Sequence, residues 1–232
     1  MANNSVPLEA VRLLHDGATQ ATGRDAIAEA ARLLTGGEVV AIPTDTVYGL
    51  AAALDQPAAL REIFRIKGRP PDRSLPVLLA DATTARRLRR SGARPETGWR
   101  EGLAALAERF WPGALTIAVP AGPGLPPEVL ASDDTVGLRV PDSVIARDVI
   151  ERAGGALAVT SANRSGHPPA LDAATMLDQA VGVTPALRWI LDGGPGVLGV
   201  PSTVVGQDGT RLVIHRSGAI DAAELRRVWE SR

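Results

Sequence analysis

Apolar positions along the chain fall into two rhythms. At helical spacing stand Ile27, Ala30, Ala31 and Leu34 in 24–34, closed by Gly36-Gly37. A second helix over 57–66 carries Leu60, Ile63, Phe64 and Ile66, and Pro70-Pro71 bars its continuation. The same rhythm predicts helices over 82–90 (opened by Asp81), 99–110 (closed by Trp111-Pro112-Gly113), 144–153 and 221–229. Between them lie short apolar runs that read as buried strands: 39–42, 75–80, 114–119, 136–140, 156–160 and 188–191. Runs 202–205 and 212–215 flank Gln207-Asp208-Gly209 and predict a hairpin. The stretches 91–98 and 120–127 read as loops.

Helices and strands mix without strict βαβ alternation, and neither repeat nor linker interrupts them. This predicts an α/β fold: one domain with a twisted mixed sheet flanked by helices. Residues 1–23 are weakly patterned and are expected to form an N-terminal extension. The main domain is then 24–220, with a C-terminal helix over 221–232.

Two strands end alike. Val39-Val40-Ala41-Ile42 runs into Pro43-Thr44-Asp45-Thr46-Val47-Tyr48-Gly49, and 156–160 runs into Ser161-Ala162-Asn163-Arg164-Ser165-Gly166. Polar groups at the C-terminal ends of strands in an α/β sheet commonly face a ligand crevice.

Composition sharpens this. Of the 25 basic residues, Lys67 is the only lysine. An ammonium is a compact point charge where arginine offers a flat fork, so its survival invites a functional reading. A net charge of −1 provides no global steering toward nucleic acid or membrane. The chain has no cysteine, which removes disulfides and thiolate chemistry. No apolar run spans a bilayer and no signal pattern opens the chain, so a cytoplasmic location without membrane partners is expected.

Several chemistries lose support. His15, His167 and His215 are widely separated, without metal-ligand spacing, so no metal site is expected. Ser161 and His167 lack a Gly-x-Ser-x-Gly elbow. Gly194-Pro195-Gly196-Val197-Leu198-Gly199 matches a dinucleotide fingerprint, yet a strand rather than a helix follows it. What remains is cationic and rich in hydroxyls: Lys67, Arg69, Arg73, Arg139 and Arg216, with Thr44, Thr46, Ser161, Asn163, Ser202 and Thr203. The residues alone point to a nucleotide or other polyanion held in a cleft by charge-assisted hydrogen bonds.

Seven blocks, in order, resemble the YrdC-like threonylcarbamoyl-AMP synthases of the short, single-domain type. They are Pro43-Thr44-Asp45-Thr46-Val47-Tyr48-Gly49-Leu50, Lys67-Gly68-Arg69-Pro70, Trp111-Pro112-Gly113-Ala114-Leu115-Thr116, Val136-Gly137-Leu138-Arg139-Val140-Pro141, Ser161-Ala162-Asn163, Asp192-Gly193-Gly194-Pro195 and Ser202-Thr203-Val204-Val205. The resemblance implies a YrdC/RibB-like fold with a concave, positively charged face. It also implies a reaction: L-threonine, bicarbonate and ATP (with Mg²⁺, as substrate) give threonylcarbamoyl-AMP and pyrophosphate. The product serves N6-threonylcarbamoyladenosine modification of tRNA through downstream transferase proteins.

By the same resemblance, Lys67, Arg69, Ser161 and Asn163 are the catalytic set. Thr44, Tyr48, Arg139 and Ser202 would hold threonine. Lys67, Arg69, Arg73, Thr135, Ser161, Pro169 and Arg216 would border ATP. Ser74, Leu78, Pro201 and Ser217 depart from common family residues. The chain is expected to lack the extra C-terminal domain of the longer branch. Two other readings stay open: a YrdC-like protein that binds RNA or nucleotide without making the adenylate, favoured by Arg86, Arg87, Arg89 and Arg90, and a carbamoyl-transfer relative.

Overall fold

The computed structural model describes residues 8–15, 18–89, 101–180, 187–196 and 198–231. Among the described residues, eleven strands form one mixed sheet. They are β1 (Arg12–His15), β2 (Ala18–Thr22), β3 (Val40–Ile42), β4 (Gly49–Ala53), β5 (Val77–Leu79), β6 (Leu115–Pro120), β7 (Thr135–Arg139), β8 (Ala156–Ser161), β9 (Trp189–Asp192), β10 (Thr203–Asp208) and β11 (Arg211–Arg216). Their order across the sheet is β11-β10-β6-β7-β5-β8-β4-β3-β9-β1-β2. The helices are α1 (Gly23–Thr35), α2 (Pro57–Lys67), α3 (Ala85–Leu88), α4 (Glu101–Phe110), α5 (Val144–Arg152), α6 (Ala173–Ala180) and α7 (Ala222–Glu230).

The central strands read as continuous apolar runs because both sheet faces are covered. Along β4, Leu50 and Ala52 face one core cluster with Leu60 and Ile63 of α2 and Leu106 of α4. Ala51 and Ala53 face the other, with Ile27 and Leu34 of α1 and Val149 of α5. The two clusters are the front and back of one sheet, as the alternation of Cβ directions requires. The expected single α/β domain around a mixed sheet is thus the observed fold.

Several expectations need correction. Within 1–23, the described residues are not a loose extension: β1 pairs antiparallel with both β2 and β9, and Val11 and Leu13 are fully buried. Their few apolar positions were too short a pattern to read. Strand β4, which pairs antiparallel with β3, was missed because its small residues, Gly-Leu-Ala-Ala-Ala, carry little strand propensity. Helix α6 was also unforeseen. The helix expected over 82–90 shrinks to α3: Gly122 donates to the Leu88 carbonyl at 2.7 Å, and Arg89 bridges to Ala121. Residues 90–98, and the first two residues of the helix expected over 99–110, lie outside the described residues.

Candidate functional site

The pairing of β3 with β4 makes 43–48 a hairpin loop, and every residue of it is buried. Thr44 organises this loop locally. Its hydroxyl donates to the Val47 carbonyl at 2.6 Å and accepts from the Val47 amide at 3.3 Å. With its own proton spent, Thr44 Oγ1 is the acceptor in its 3.0 Å contact with Thr46 Oγ1.

Two further loops are stitched onto this one. The Tyr48 amide donates to the Ala170 carbonyl at 3.1 Å, and the Ala162 amide to the Tyr48 carbonyl at 2.7 Å. Leu198 donates to the Asp45 carbonyl and Gly199 to the Thr46 carbonyl, both at 3.0 Å. The Tyr48 hydroxyl donates to the Gly194 carbonyl at 2.8 Å and accepts from the Gly193 amide at 3.2 Å. Burial pushes its pKa well above the ordinary phenol value. Glycine is required at 193: an added Cβ would lie 2.7 Å from Pro43 Cγ and 2.8 Å from Ile145 Cδ1. Of the fingerprint-like glycines, Gly194 and Gly199 hold positive φ (78° and 65°), and a Cβ at Gly196 would lie 3.0 Å from the Thr46 carbonyl oxygen, so they serve turns and close packing ahead of β10.

Beside these loops lies a cleft of about 610 Å³, part of it open to solvent. Its lining includes apolar Val47, Pro76, Leu78 and Val159. It brings together the polar side chains of Thr44, Thr46, Arg69, Thr116, Arg139, Ser161, Ser202 and Arg216. These side chains come from seven separate segments, and the strand order is what gathers them: β7, β5, β8 and β4 are consecutive neighbours in the sheet.

Arg139, at the end of β7, is 6% exposed and firmly held. Its Nε donates to the Gly113 carbonyl at 2.9 Å, Nη1 to Thr46 Oγ1 at 3.0 Å and Nη2 to Asp45 Oδ1 at 2.5 Å. Burial pushes the Asp45 carboxyl above its ordinary range, with the Arg139 charge acting against that. On the far side of the cleft, Arg216 donates to the Ser202 carbonyl at 2.8 Å and to Ser202 Oγ at 3.2 Å. Ser202 Oγ also lies 2.8 Å from Thr116 Oγ1. Arg69 is held by the carbonyls of Arg73 and Ser74, both at 2.9 Å. Burial lowers the pKa of Arg69 and of Arg216.

Lys67 stands behind the cleft wall. It is 2% exposed, and its ammonium donates to the Ser161 carbonyl, to the Asn163 carbonyl at 2.8 Å and to Asn163 Oδ1 at 2.9 Å. Burial, helped by the Arg69 charge, pushes its pKa down to about 7. Ser161 Oγ donates to Asn163 Oδ1 at 2.7 Å, so the hydroxyl bonds Asn163 rather than a histidine base. That arrangement lends nothing to a Ser-His hydrolase.

The structure thus gathers Thr44, Tyr48, Arg69, Arg139, Ser161, Ser202 and Arg216 around one cleft, with Lys67 and Asn163 bonded to its Ser161 corner. Tyr48 lines it with its hydroxyl already committed to the neighbouring loop. Arg73 is exposed and off the lining, Thr135 bonds Asp133 at 2.7 Å, and Pro169 flanks the Ala170 bridge. Sequence reasoning missed Asp45 and Thr116. The one available signal was a carboxylate or hydroxyl inside an otherwise buried stretch. Among the described residues, no group of His, Asp and Glu could hold a metal ion.

A family model described as "Telomere recombination", for the Sua5, YciO and YrdC proteins, matches residues 32–218. The threonylcarbamoyl-AMP synthase of Bacillus subtilis is 39% identical over 203 residues, which is 87% of this chain and 56% of that protein. The chain therefore spans little more than half the length of that relative. A putative threonylcarbamoyl-AMP synthase of Mycobacterium tuberculosis is 34% identical over 202 residues, 87% of this chain and 88% of the relative. The solved structure of Pyrococcus abyssi Sua5 complexed with L-threonine superposes with a TM-score of 0.79 at 33% identity, over 90% of this chain and 58% of that one.

Proposed function

The chain belongs to the Sua5/YciO/YrdC family, and we propose that it is a threonylcarbamoyl-AMP synthase, joining L-threonine, bicarbonate and ATP into threonylcarbamoyl-AMP with release of pyrophosphate. The observation that carries this reading is the convergence of three guanidinium groups, Arg69, Arg139 and Arg216, with small hydroxyls on one half-apolar cleft. An amino acid and a nucleoside triphosphate bring one carboxylate and a chain of phosphates, and the cleft offers donors for both.

In this reading Arg139 takes the threonine carboxylate, because a guanidinium fork matches a carboxylate in two parallel bonds. Thr44 and Ser202 flank the rest of the amino acid. Arg69, Arg216 and Ser161 face the phosphates, which arrive with their own Mg²⁺. The threonine amine condenses with bicarbonate, losing water, to give a carbamate. A carbamate oxygen then attacks the α-phosphorus, and the bond to pyrophosphate breaks in line with it. The protein contributes proximity of bound reactants and cationic stabilisation of the phosphate charge. Lys67 acts by holding the Ser161–Asn163 turn, with its ammonium available to a phosphate if that turn rearranges around ATP.

The product would pass to transferase proteins that modify tRNA, in the cytoplasm. Among the described residues no helix is long and apolar enough to cross a membrane. The deciding experiment incubates the protein with ATP-Mg²⁺ and bicarbonate, with and without L-threonine, and follows pyrophosphate. Release that needs both threonine and bicarbonate is expected. No release under any condition, with RNA binding retained, overturns the proposal in favour of a nucleic-acid-binding role.

A further inference from the structure

We infer that Asp45 is a positioning residue that makes Arg139 selective for a carboxylate over a polyphosphate. This rests on the reading that the cleft takes an amino acid beside ATP. A guanidinium has five N–H donors, and Gly113, Thr46 and Asp45 take one each from Nε, Nη1 and Nη2. Three anchors on three nitrogens fix both the location of the group and the rotation of its plane. One N–H on each terminal nitrogen is left without a protein partner among the described residues, which leaves two donors for a ligand carboxylate.

Stability alone does not account for the pair. Asp45 and Arg139 side chains are each 7% exposed. Burying two charges costs about as much as their attraction returns, so such pairs are weak stability devices. Asp45 Oδ2 is moreover buried with no hydrogen-bond partner among the described residues, a further cost. What the arrangement supplies is a cation that is neutralised and aimed.

The other cleft cations differ. Arg69 and Arg216 are bonded to carbonyls and a hydroxyl, and neither bonds a carboxylate. The cleft is therefore divided by charge. Guanidiniums that bond no carboxylate stand where several negative charges must be met, and a carboxylate-bonded one stands where a single carboxylate is met by shape. A polyphosphate at Arg139 would meet the negative field of Asp45 at close range. The backbone of the same two residues also ties down the opposite wall: the Asp45 and Thr46 carbonyls hold Leu198 and Gly199, just before Pro201 and Ser202 of the cleft.

The test is Asp45→Asn, which keeps the shape and removes the charge, measured by calorimetric binding of L-threonine and of ATP, with inorganic pyrophosphate as competitor. The expected result is pyrophosphate newly competing with L-threonine, with ATP binding changed less than about threefold. Thr46→Val is the second variant. It leaves the charge and removes the Nη1 anchor, so it is expected to weaken threonine binding and to bring no pyrophosphate competition. Loss of threonine and ATP binding in parallel, or no pyrophosphate competition in Asp45→Asn, would overturn the inference, and where Asp45→Asn does not fold, unaltered threonine binding by Thr46→Val overturns it too. Failure of the wild-type protein to bind threonine at all would instead sink the synthase reading.

Discussion

Lys67 and Asn163 are 96 residues apart in the chain, yet the lysine ammonium lies 2.8 Å from the asparagine carbonyl oxygen and 2.9 Å from its side-chain oxygen. Together with the Ser161 carbonyl these oxygens take all three N–H donors of one compact ammonium, where arginine would bring a planar fork. The Ser165 amide returns a bond to the Lys67 carbonyl at 2.9 Å, so the end of α2 and the turn after β8 are locked together. This is a physical reason for one lysine to persist in a chain otherwise served by arginine.

Removing that ammonium should cost turnover rather than the fold. In Lys67→Ala, kcat/KM is expected to fall about a hundredfold or more, since misplacing the Ser161 turn disturbs reactant alignment. Lys67→Arg should recover little of it. Pyrophosphate release with circular dichroism as a fold control is the measurement. Full turnover in the alanine variant would take Lys67 out of the site.

The same burial predicts a pH dependence of stability. Lys67 is lowered to about 7 in the folded protein, whereas an unfolded lysine keeps the ordinary value near 10.5. Between these limits the unfolded chain binds the extra proton, so stability rises with pH across that window. The contribution is on the order of a few kcal/mol when complete. Urea denaturation at several pH values should show wild type gaining on Lys67→Met from pH 7 toward pH 10. A difference that stays flat would mean that the ammonium is not destabilised by burial.

Arg139→Lys keeps the charge and loses the fork. Threonine KM is expected to rise by about one to two orders of magnitude while ATP KM moves by less than about threefold, because one point charge cannot hold three anchors and a carboxylate at once. Steady-state kinetics in each substrate checks the split. Equal rises in both would place Arg139 outside the amino-acid subsite.

Tyr48→Phe separates a loop anchor from a substrate contact. The hydroxyl serves Gly193 and Gly194, so its loss should lower stability by about 1–3 kcal/mol. Threonine affinity should stay within about threefold of wild type, as the hydroxyl proton is already donated to the Gly194 carbonyl. Chemical denaturation and calorimetry together decide it. Weakened threonine binding at unchanged stability would return Tyr48 to the substrate.

What was legible in the chain, and what was not, follows the range of the interactions. Hydrophobic rhythm is a local signal, and it placed α1, α2, α5, α7 and most strands within a few residues. It failed where local signal was thin: β4 is mostly glycine and alanine, β1 depends on pairing with distant β9, and β2 in turn on pairing with β1. The polar knots after β3 and β8 marked the site because hydroxyls, amides and a carboxylate beside buried strands need a reason. Residue types alone carried the expectation of an anionic ligand.

Roles were a different matter. The resemblance assigned Tyr48 to substrate and Lys67 to phosphate, while the fold commits the first hydroxyl to the 193–194 loop and surrounds the second group with three oxygens. Asp45 drew no assignment, although it grips Arg139 from 94 residues away. The sequence by itself settled which chemical groups this protein has and which short segments are helix or strand. Only the tertiary structure decided which donors are already occupied and which remain for a ligand. A hydrogen bond depends on distance and direction in space, and strand order, not sequence separation, sets both.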